Sequence, residues 1–371
     1  MARRNSSLEL MRIIAMLMII ARHYVNFNAF NVGAQQFSLR KVILEGIFFP
    51  AGKIGVVLFF AITAYFLCMK DSFSVKSSIR KAWLLEREVI FWSLTLLGLC
   101  LIVWPEVLTP KWVIASFMPI SSGLWWYATS YMLFLLAFPF VTYGLRALGR
   151  RMHAYLCIAM IVLWVILAGF ASIFTLNYVS IRFDMSPNNV IIFIFLYTLI
   201  AYYRWYMKEC SVKTAIGMIV AGTFLLIGES VVFGLLFQET GRWGEMQTYW
   251  GNAEWNLPVI LVSAGLFVLF NVMYFSNRVV DSIAKSMFAV YLIHLYPPIQ
   301  MWLWQHEFDM NRFWHSRGFW LYTFLAIFGV LIVCVVADYV RRGLFAITVN
   351  RHPGRCFDAL WNKFHRTFGF K

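Results

Sequence analysis

Long apolar runs separated by short polar segments dominate this chain of 371 residues. Charged or turn-forming residues bound such runs at 8–28, 51–69, 87–104, 123–143, 153–173, 189–207, 214–237, 257–276, 285–304 and 318–340. A helix needs about 20 apolar residues to cross a bilayer, and lipid cannot satisfy unpaired backbone groups. The runs are too long for barrel strands of about ten residues. We therefore predict an all-α, polytopic transmembrane bundle of about ten spans, forming one integral-membrane domain (1–371) with a short tail at about 341–371.

The balance of residue types excludes an ordinary soluble domain, since 61% of the residues are hydrophobic and only 13% are charged. The formal net charge of +15 is compatible with a nucleic-acid partner, but Lys and Arg gather in alternate connecting segments. Segments facing one side hold roughly three times as many basic residues as those facing the other. The positive-inside rule then predicts that both termini are cytoplasmic, with the lipid bilayer and no nucleic acid as partner. The six cysteines form no CxxC pair, so we predict neither a metal site nor a disulfide framework.

The first predicted span carries Glu9, Arg12, Arg22 and His23. Arg12 and His23 are separated by three helical turns plus about 20°, so they share a face, about 16 Å apart along the axis. This places His23 near mid-membrane if Arg12 lies at the inner surface, and Glu9 is one turn from Arg12 and can pair with it. Ionisable groups at such depth face polar cavities, so we favour a functional site over a helix-packing histidine. Arg22 points elsewhere, and either snorkels outward or lines the outer cavity.

The ninth predicted span carries a second histidine at a similar depth. Tyr291 and His294 are one turn apart and share a face, and Ser286 stands where the span starts. His294 lies about 13 Å along the helix from Lys285. Taken alone, His294 would be read as an interhelical hydrogen-bonding residue. Two histidines at matching depth instead predict a shared polar cavity.

Basic residues gather in the segment that follows the second predicted span, namely Lys76, Arg80, Lys81 and Arg87. On a helix, the spacing of Lys76, Arg80 and Arg87 puts all three on one face. Because Arg and Lys match phosphate oxygens, the segment is a candidate docking site for a phosphorylated cofactor. A cytoplasmic loop obeying the positive-inside rule would show the same charge.

Aromatic residues concentrate where the fourth predicted span opens and in the predicted outer loop at 238–256. Trp126, Tyr127, Trp250 and Trp255 are candidates for binding a glycan, since aromatic faces pack against sugar C–H groups while nearby Asn and Glu bond hydroxyls. An interfacial aromatic belt would give the same pattern, and the sequence leaves both interpretations open. In the second span, Gly55 and Thr63 are small or polar positions that we assign to helix packing.

Four segments make the chain resemble the membrane-bound acyltransferase-3 family, which includes O-acetyltransferases of bacterial surface polysaccharides. These segments are RNSSLELMRIIAMLMIIARH, GVVLFFAITAYFL, LWWYATSYMLFLLAFPF and SMFAVYLIH. They are similar to the family's Arg–ten residues–His signature, its Gly-Val-x-x-Phe-Phe stretch, its Trp-rich segment ending in Pro, and its Ser…Tyr-Leu-x-His motif. The resemblance covers essentially the full length and implies ten helices with both ends inside.

The resemblance also implies roles for individual residues. His23 would be the general base that acts on the acceptor hydroxyl. Arg12 would anchor the acyl donor or steady the charge of the site, and Glu9 would orient Arg12. Tyr291 and His294 would complete the cavity and stabilise the oxyanion. The donor implied is acetyl-CoA, a coenzyme A thioester held by the basic segment, and the acceptor is a lipid-linked or growing surface glycan.

The chain departs from the family pattern in three places. Glu9 stands where the family often has Asp, and Thr63-Ala64 stands where it has Ser-Gly. Arg80 and Arg87 lack the spacing of the family's Arg-x-x-Arg pair, so the resemblance does not transfer the donor site residue by residue.

The sequence therefore predicts a multi-pass O-acyltransferase of the bacterial cytoplasmic membrane that acetylates a surface polysaccharide or exopolysaccharide. A proton-coupled secondary transporter is an alternative, because intramembrane His and Arg also suit a proton relay. A non-catalytic partner in glycan export or assembly is a second alternative, and it predicts no acetyl-CoA binding.

Overall fold

The computed structural model describes residues 5–69, 74–170 and 190–368, and its regular structure over those residues is entirely helical. The helices of the first half are α1 (Ser6–Asn26), α2 (Leu39–Ile43), α3 (Phe49–Cys68), α4 (Val75–Val103), α5 (Pro110–Phe117) and α6 (Trp126–Met160). Those of the second half are α7 (Val190–Tyr206), α8 (Val212–Thr240), α9 (Leu257–Val272), α10 (Arg278–Ala284), α11 (Met287–His294), α12 (Pro297–Trp302), α13 (Phe319–Ile347) and α14 (Arg355–Phe368). The predicted all-α class is confirmed.

Four helical stretches of the described chain are long and apolar enough to cross a membrane. They are Leu39–Cys68, Trp126–Ala168, Val212–Thr240 and Phe319–Ile347, and the broken pair Arg278–His294 and Pro297–Arg312 makes a possible fifth. The membrane character of the chain is thereby supported, while the predicted ten spans and the cytoplasmic termini stay predictions. The first predicted span forms α1, which carries three charged side chains, Glu9, Arg12 and Arg22. Their presence explains why its composition alone does not mark it as a span.

Several predicted boundaries differ from the structure. The segment 29–50, which joins the first two predicted spans, is helical from Leu39 onward, because a π-helical turn at Leu44–Phe48 joins α2 to α3. The predicted fourth and fifth spans are joined in one stretch, which is interrupted at Gly149, whose φ is 66°; residues 171–173 of the fifth lie outside the described residues. The tail predicted from 341 begins inside α13, which continues to Ile347, and then forms α14.

The ninth predicted span, 285–304, is wrong as a continuous helix. Helix α11 ends at His294, and the chain bends by 82° before the next helical stretch. Pro297 and Pro298 follow the break. A proline removes a backbone donor and restricts the residue before it, so the helix ends ahead of the pair. Backbone that is not helical is tolerated at membrane depth where it lines a cavity or is buried in protein.

Helix α1 lies at the centre of the bundle and packs most extensively on α3. Asn5 caps its start by accepting a hydrogen bond from the Ser7 amide. The two helices approach closely at Gly55, where an added Cβ would lie 2.5 Å from the Ala15 carbonyl oxygen. Arg22 packs over Gly52 in the same crossing. The packing role predicted for Gly55 agrees with this contact, which fixes the register of α1 against α3.

Candidate active site

His23 and His294 form a hydrogen-bonded pair inside the bundle. The His23 Nδ1 and His294 Nε2 atoms are 2.9 Å apart. His294 is fully buried, whereas His23 is half-buried. The two residues are 271 positions apart in sequence, and the predicted coincidence of their depths corresponds to direct contact in the structure. His23 lies in the last turn of α1. It is nearer the end of the helix than the sequence predicted, because α1 ends at Asn26 and the predicted span ran to residue 28.

The second nitrogen of His294 fixes the proton positions in this pair. His294 Nδ1 is hydrogen-bonded to the carbonyl oxygen of Val290, which can only accept. A neutral His294 therefore carries its proton on Nδ1 and offers a lone pair at Nε2. His23 must then donate from Nδ1, which leaves the lone pair of the neutral His23 ring on Nε2. Within the described chain, His23 Nε2 makes no hydrogen bond.

The start of α6 holds α11 in place beside the histidines. The Trp125 indole N–H donates to the Leu292 carbonyl at 3.0 Å. The Tyr127 backbone N–H donates to the Tyr291 hydroxyl at 3.2 Å. Both bonds involve residues within one turn of His294. They hold the end of α11 against α6, in addition to the prolines that end the helix.

Arg12 lies three helical turns before His23 on α1, beside aromatic side chains. It pairs with Glu9 at 3.6 Å, as the spacing predicted, and its side chain is 23% exposed. The Arg12 guanidinium lies 5.8 Å from the ring centroid of Phe59, which packs edge-on against Tyr127. The backbone N–H of Tyr127 bonds the Tyr291 hydroxyl, so aromatic packing connects Arg12 through α6 to the turn that carries His294.

A second charged pair joins α3 to the segment that precedes α9. Lys53 Nζ on α3 contacts Glu254 Oε1 at 2.9 Å, and the two side chains are 11% and 0% exposed. Lys53 is close enough to the His23 ring to interact with it electrostatically, as is Arg22. Sequence reasoning missed this pair, although Lys53 lies inside the second predicted span, 51–69. The signal was available, since a lysine inside a predicted span is itself a mark of a polar cavity.

Arg22 neither snorkels outward nor stays free in the cavity. It is 8% exposed and donates to the carbonyl oxygens of Phe49 and Gly251, at 2.9 and 3.1 Å, and to the side chain of Asn252. The segment 241–256 is thereby tied onto α1 and α3. Arg22 thus orders the segment that carries Glu254.

Ser286 is not brought to the histidine pair. It precedes α11, two turns before His294, and its hydroxyl accepts a hydrogen bond from Arg342 at 3.2 Å. Its observed contacts anchor α13 to the start of α11.

The predicted donor-binding residues lie on α4 and face the C-terminal segment. Lys76 and Arg80 contact the Asp358 carboxylate of α14 at 3.2 and 3.8 Å. Arg80 also donates to the Pro353 carbonyl, and Arg87 is 3.4 Å from the Asn350 side-chain oxygen. Lys81 lies on the same helix. The shared face expected from their spacing is therefore present, and an acidic side chain of the protein lies against it.

The four aromatic candidates have different surroundings. Trp126 lies with its ring 5.7 Å from Lys53 Nζ, beside the charged pair. Tyr127 is 5% exposed and packs among other aromatic rings rather than at an interface. Trp250 donates its indole N–H to the Gly169 carbonyl at 3.2 Å, a bond that holds its loop. Trp255 is half-buried against the core. Trp126 is partly exposed and contacts the charged pair through Lys53, and Trp255, also partly exposed, directly follows Glu254.

These observations define a helical membrane protein that contains a histidine pair and the ion pairs Arg12–Glu9 and Lys53–Glu254. Among the described residues, no group of three or more His, Cys, Asp or Glu side chains is placed to hold a metal ion. The chain belongs to the acyltransferase-3 family, whose model, described as an acyltransferase domain, matches residues 5–339. Membership supports acyl transfer as its reaction. Comparisons with curated proteins and with solved structures gave no match.

Proposed function

We propose that this protein transfers an acetyl group from acetyl-CoA to a hydroxyl of a surface polysaccharide or exopolysaccharide, in the cytoplasmic membrane of a bacterium. The observation that carries the proposal is the hydrogen bond between His23 and His294. It leaves a basic lone pair on His23 Nε2, and a positioned imidazole is the side chain that most often acts as a general base. Family membership supplies the reaction class.

The proposed step moves one proton and exchanges one bond. His23 Nε2 accepts the proton of the acceptor hydroxyl while its oxygen attacks the thioester carbonyl. The tetrahedral intermediate collapses, the C–S bond breaks, and the proton on Nε2 passes to the departing thiolate of coenzyme A. His294 Nε2 accepts the Nδ1–H of His23 throughout, so it orients the ring and stabilises the imidazolium that forms. An acyl-enzyme route would use the same Nε2 as nucleophile.

Other residues have supporting roles in this proposal. Both nitrogens of His294 are occupied, so the oxyanion role expected of it passes to Tyr291. The Tyr291 hydroxyl accepts from Tyr127, and its own proton is available to donate. Arg12, oriented by Glu9, anchors the donor. Lys76, Arg80, Lys81 and Arg87 hold the donor's phosphates, which suit a basic helix face.

A transporter remains the second candidate because of one observation, the broken helix beside the histidine pair. Discontinuous helices at membrane depth are typical of transporter binding sites. Proton-coupled solute uptake that survives His23→Ala would favour this candidate over the enzyme.

The test uses the purified chain in lipid nanodiscs with labelled acetyl-CoA and methyl glycosides as acceptors. We expect His23→Ala to lower the rate of label transfer by about 10²–10⁴-fold. His153→Gln is the control, since His153 is a buried histidine away from the pair, and its Nε2 is hydrogen-bonded to the Thr198 carbonyl. A folded His23→Ala variant that transfers label at the wild-type rate would overturn the proposed role of His23.

A further inference from the structure

We propose that Glu254, Lys53 and Trp126 form a subsite that binds a second hydroxyl of a polyhydroxylated, sugar-like ring. Naming that ring as the acyl acceptor rests on the proposed function. The subsite itself is argued from the side chains.

The first observation is an unpaired oxygen on a buried carboxylate. Glu254 is 0% exposed, and its Oε1 contacts Lys53. Its Oε2 is also buried and has no hydrogen-bond partner in the part of the chain that the structure describes. A buried charged oxygen without a partner is strongly unfavourable, so native proteins rarely retain one without a ligand or water to satisfy it. In the proposed complex, a hydroxyl of the ligand donates to this oxygen.

The second observation is the set of groups around Glu254. The Lys53 ammonium has three N–H donors, and the contact with Glu254 uses one of them. Trp126 provides an apolar wall on the other side of that ammonium. The subsite thus offers an oxygen that accepts, N–H groups that donate and an aromatic ring. These match a ligand ring whose surface alternates hydroxyl and C–H groups. A fatty alcohol has a single hydroxyl. If that hydroxyl donates to His23, no group of the alcohol remains to donate to Glu254 Oε2.

The third observation is position. The subsite borders the histidine pair, because Trp126 adjoins Tyr127, whose backbone N–H is bonded to the Tyr291 hydroxyl, one turn before His294. Arg22 fixes the segment that carries Glu254 by bonding Gly251 and Asn252. In the proposed complex, one ring presents one hydroxyl to His23 Nε2 and another to Glu254. Glu254 then selects the acceptor and takes no part in bond making.

Glycoside binding is measured first, without catalysis, in the His23→Ala background. The probes are methyl glycosides of glucose, galactose and mannose, with their monodeoxy derivatives and cyclohexylmethanol, and the signal is tryptophan fluorescence. We expect at least one glycoside to bind, and one of its deoxy derivatives to bind about tenfold more weakly. Glu254→Gln should weaken the parent about tenfold and remove its advantage over that deoxy derivative. Glu245→Gln, an exposed change in the same segment, should alter neither.

The outcomes separate the two proposals. Equal affinities for the glycosides and cyclohexylmethanol, or unchanged discrimination in Glu254→Gln, would overturn the subsite. If Glu254→Gln does not fold, Trp126→Leu keeps the ion pair and should still weaken glycoside binding; unchanged binding would count against the subsite. Glycoside binding that depends on Glu254, in a protein whose wild type transfers no acetyl group, would refute the proposed function and leave the subsite standing. In an active protein, Glu254→Gln should raise the KM for the acceptor and leave that for acetyl-CoA unchanged.

Discussion

Removing the imidazole of His294 should impair the protein without touching the substrate. In His294→Ala, His23 Nδ1 loses its acceptor and the ring can rotate or exchange tautomers, so Nε2 no longer always offers a lone pair. His294→Gln places an amide where Nε2 stood, and its oxygen can accept from His23. We therefore expect a large loss of activity in the alanine variant and a smaller one in the glutamine variant.

The size of the loss follows from the change in charge during the reaction. A hydrogen bond between neutral groups contributes about 1 kcal/mol net, whereas one to a charged group contributes about 1.5–3 kcal/mol. His23 becomes an imidazolium in the transition state, so its bond to His294 strengthens along the reaction. Only the gain from the neutral to the charged bond, about 0.5–2 kcal/mol, affects kcat; at 1.36 kcal/mol per factor of ten it corresponds to a fall of about 2–30-fold. His23→Ala should cost more, about 10²–10⁴-fold.

Acetyl transfer is measured with single and double variants in nanodiscs. If His294 acts through His23, the double variant His23→Ala/His294→Ala should be no slower than His23→Ala alone, since the two residues work as a unit. Elution as a monodisperse peak and an unchanged melting temperature exclude misfolding, and His153→Gln again serves as control. Losses that multiply in the double variant, or full activity in a folded His294→Ala, would refute the reasoning.

Two further predictions concern packing and donor binding. Gly55→Ala should lower the stability of the solubilised protein by about 1–3 kcal/mol, because its Cβ would press on the Ala15 carbonyl; Gly98→Ala, with open space around it, should not, and thermal unfolding compares the two. Asp358→Asn should increase the affinity for acetyl-CoA several-fold in equilibrium binding, because it frees Lys76 and Arg80 for phosphate. Unfolding of Asp358→Asn should change by less than about 1 kcal/mol, as expected for an exposed ion pair.

The sequence was most informative where its regularities are local. Apolar runs predicted helices, and helical spacing placed Arg12 one turn from Glu9 and on the same helix as His23. The matching depths of His23 and His294 were enough to predict that they share a cavity. Depth alone could not give the hydrogen bond, since this requires α1 and α11 to be neighbours in the bundle.

Pairings between distant segments were beyond such reasoning. Lys53 and Glu254 are 201 positions apart, and nothing in the periodicity of either segment indicates that they meet. The contact of Asp358 with the basic face of α4 is a second case, because it depends on the chain folding back after α13. The break after His294 was different, because Pro297 and Pro298 predict a helix end there. The continuous apolar run instead favoured a single span.

The two histidines share a further property, because each lies in the last turn of its helix, α1 or α11. Peptide dipoles leave a partial negative charge at a helix C-terminus, worth about 0.3–1 kcal/mol to a nearby cation, and up to about 2 kcal/mol when partly buried. The C-terminal ends of α1 and α11 therefore both lie at the hydrogen bond between His23 and His294. Positive charge that arises on the pair is therefore met by dipoles that are already oriented, in a place where water has little freedom to reorganise.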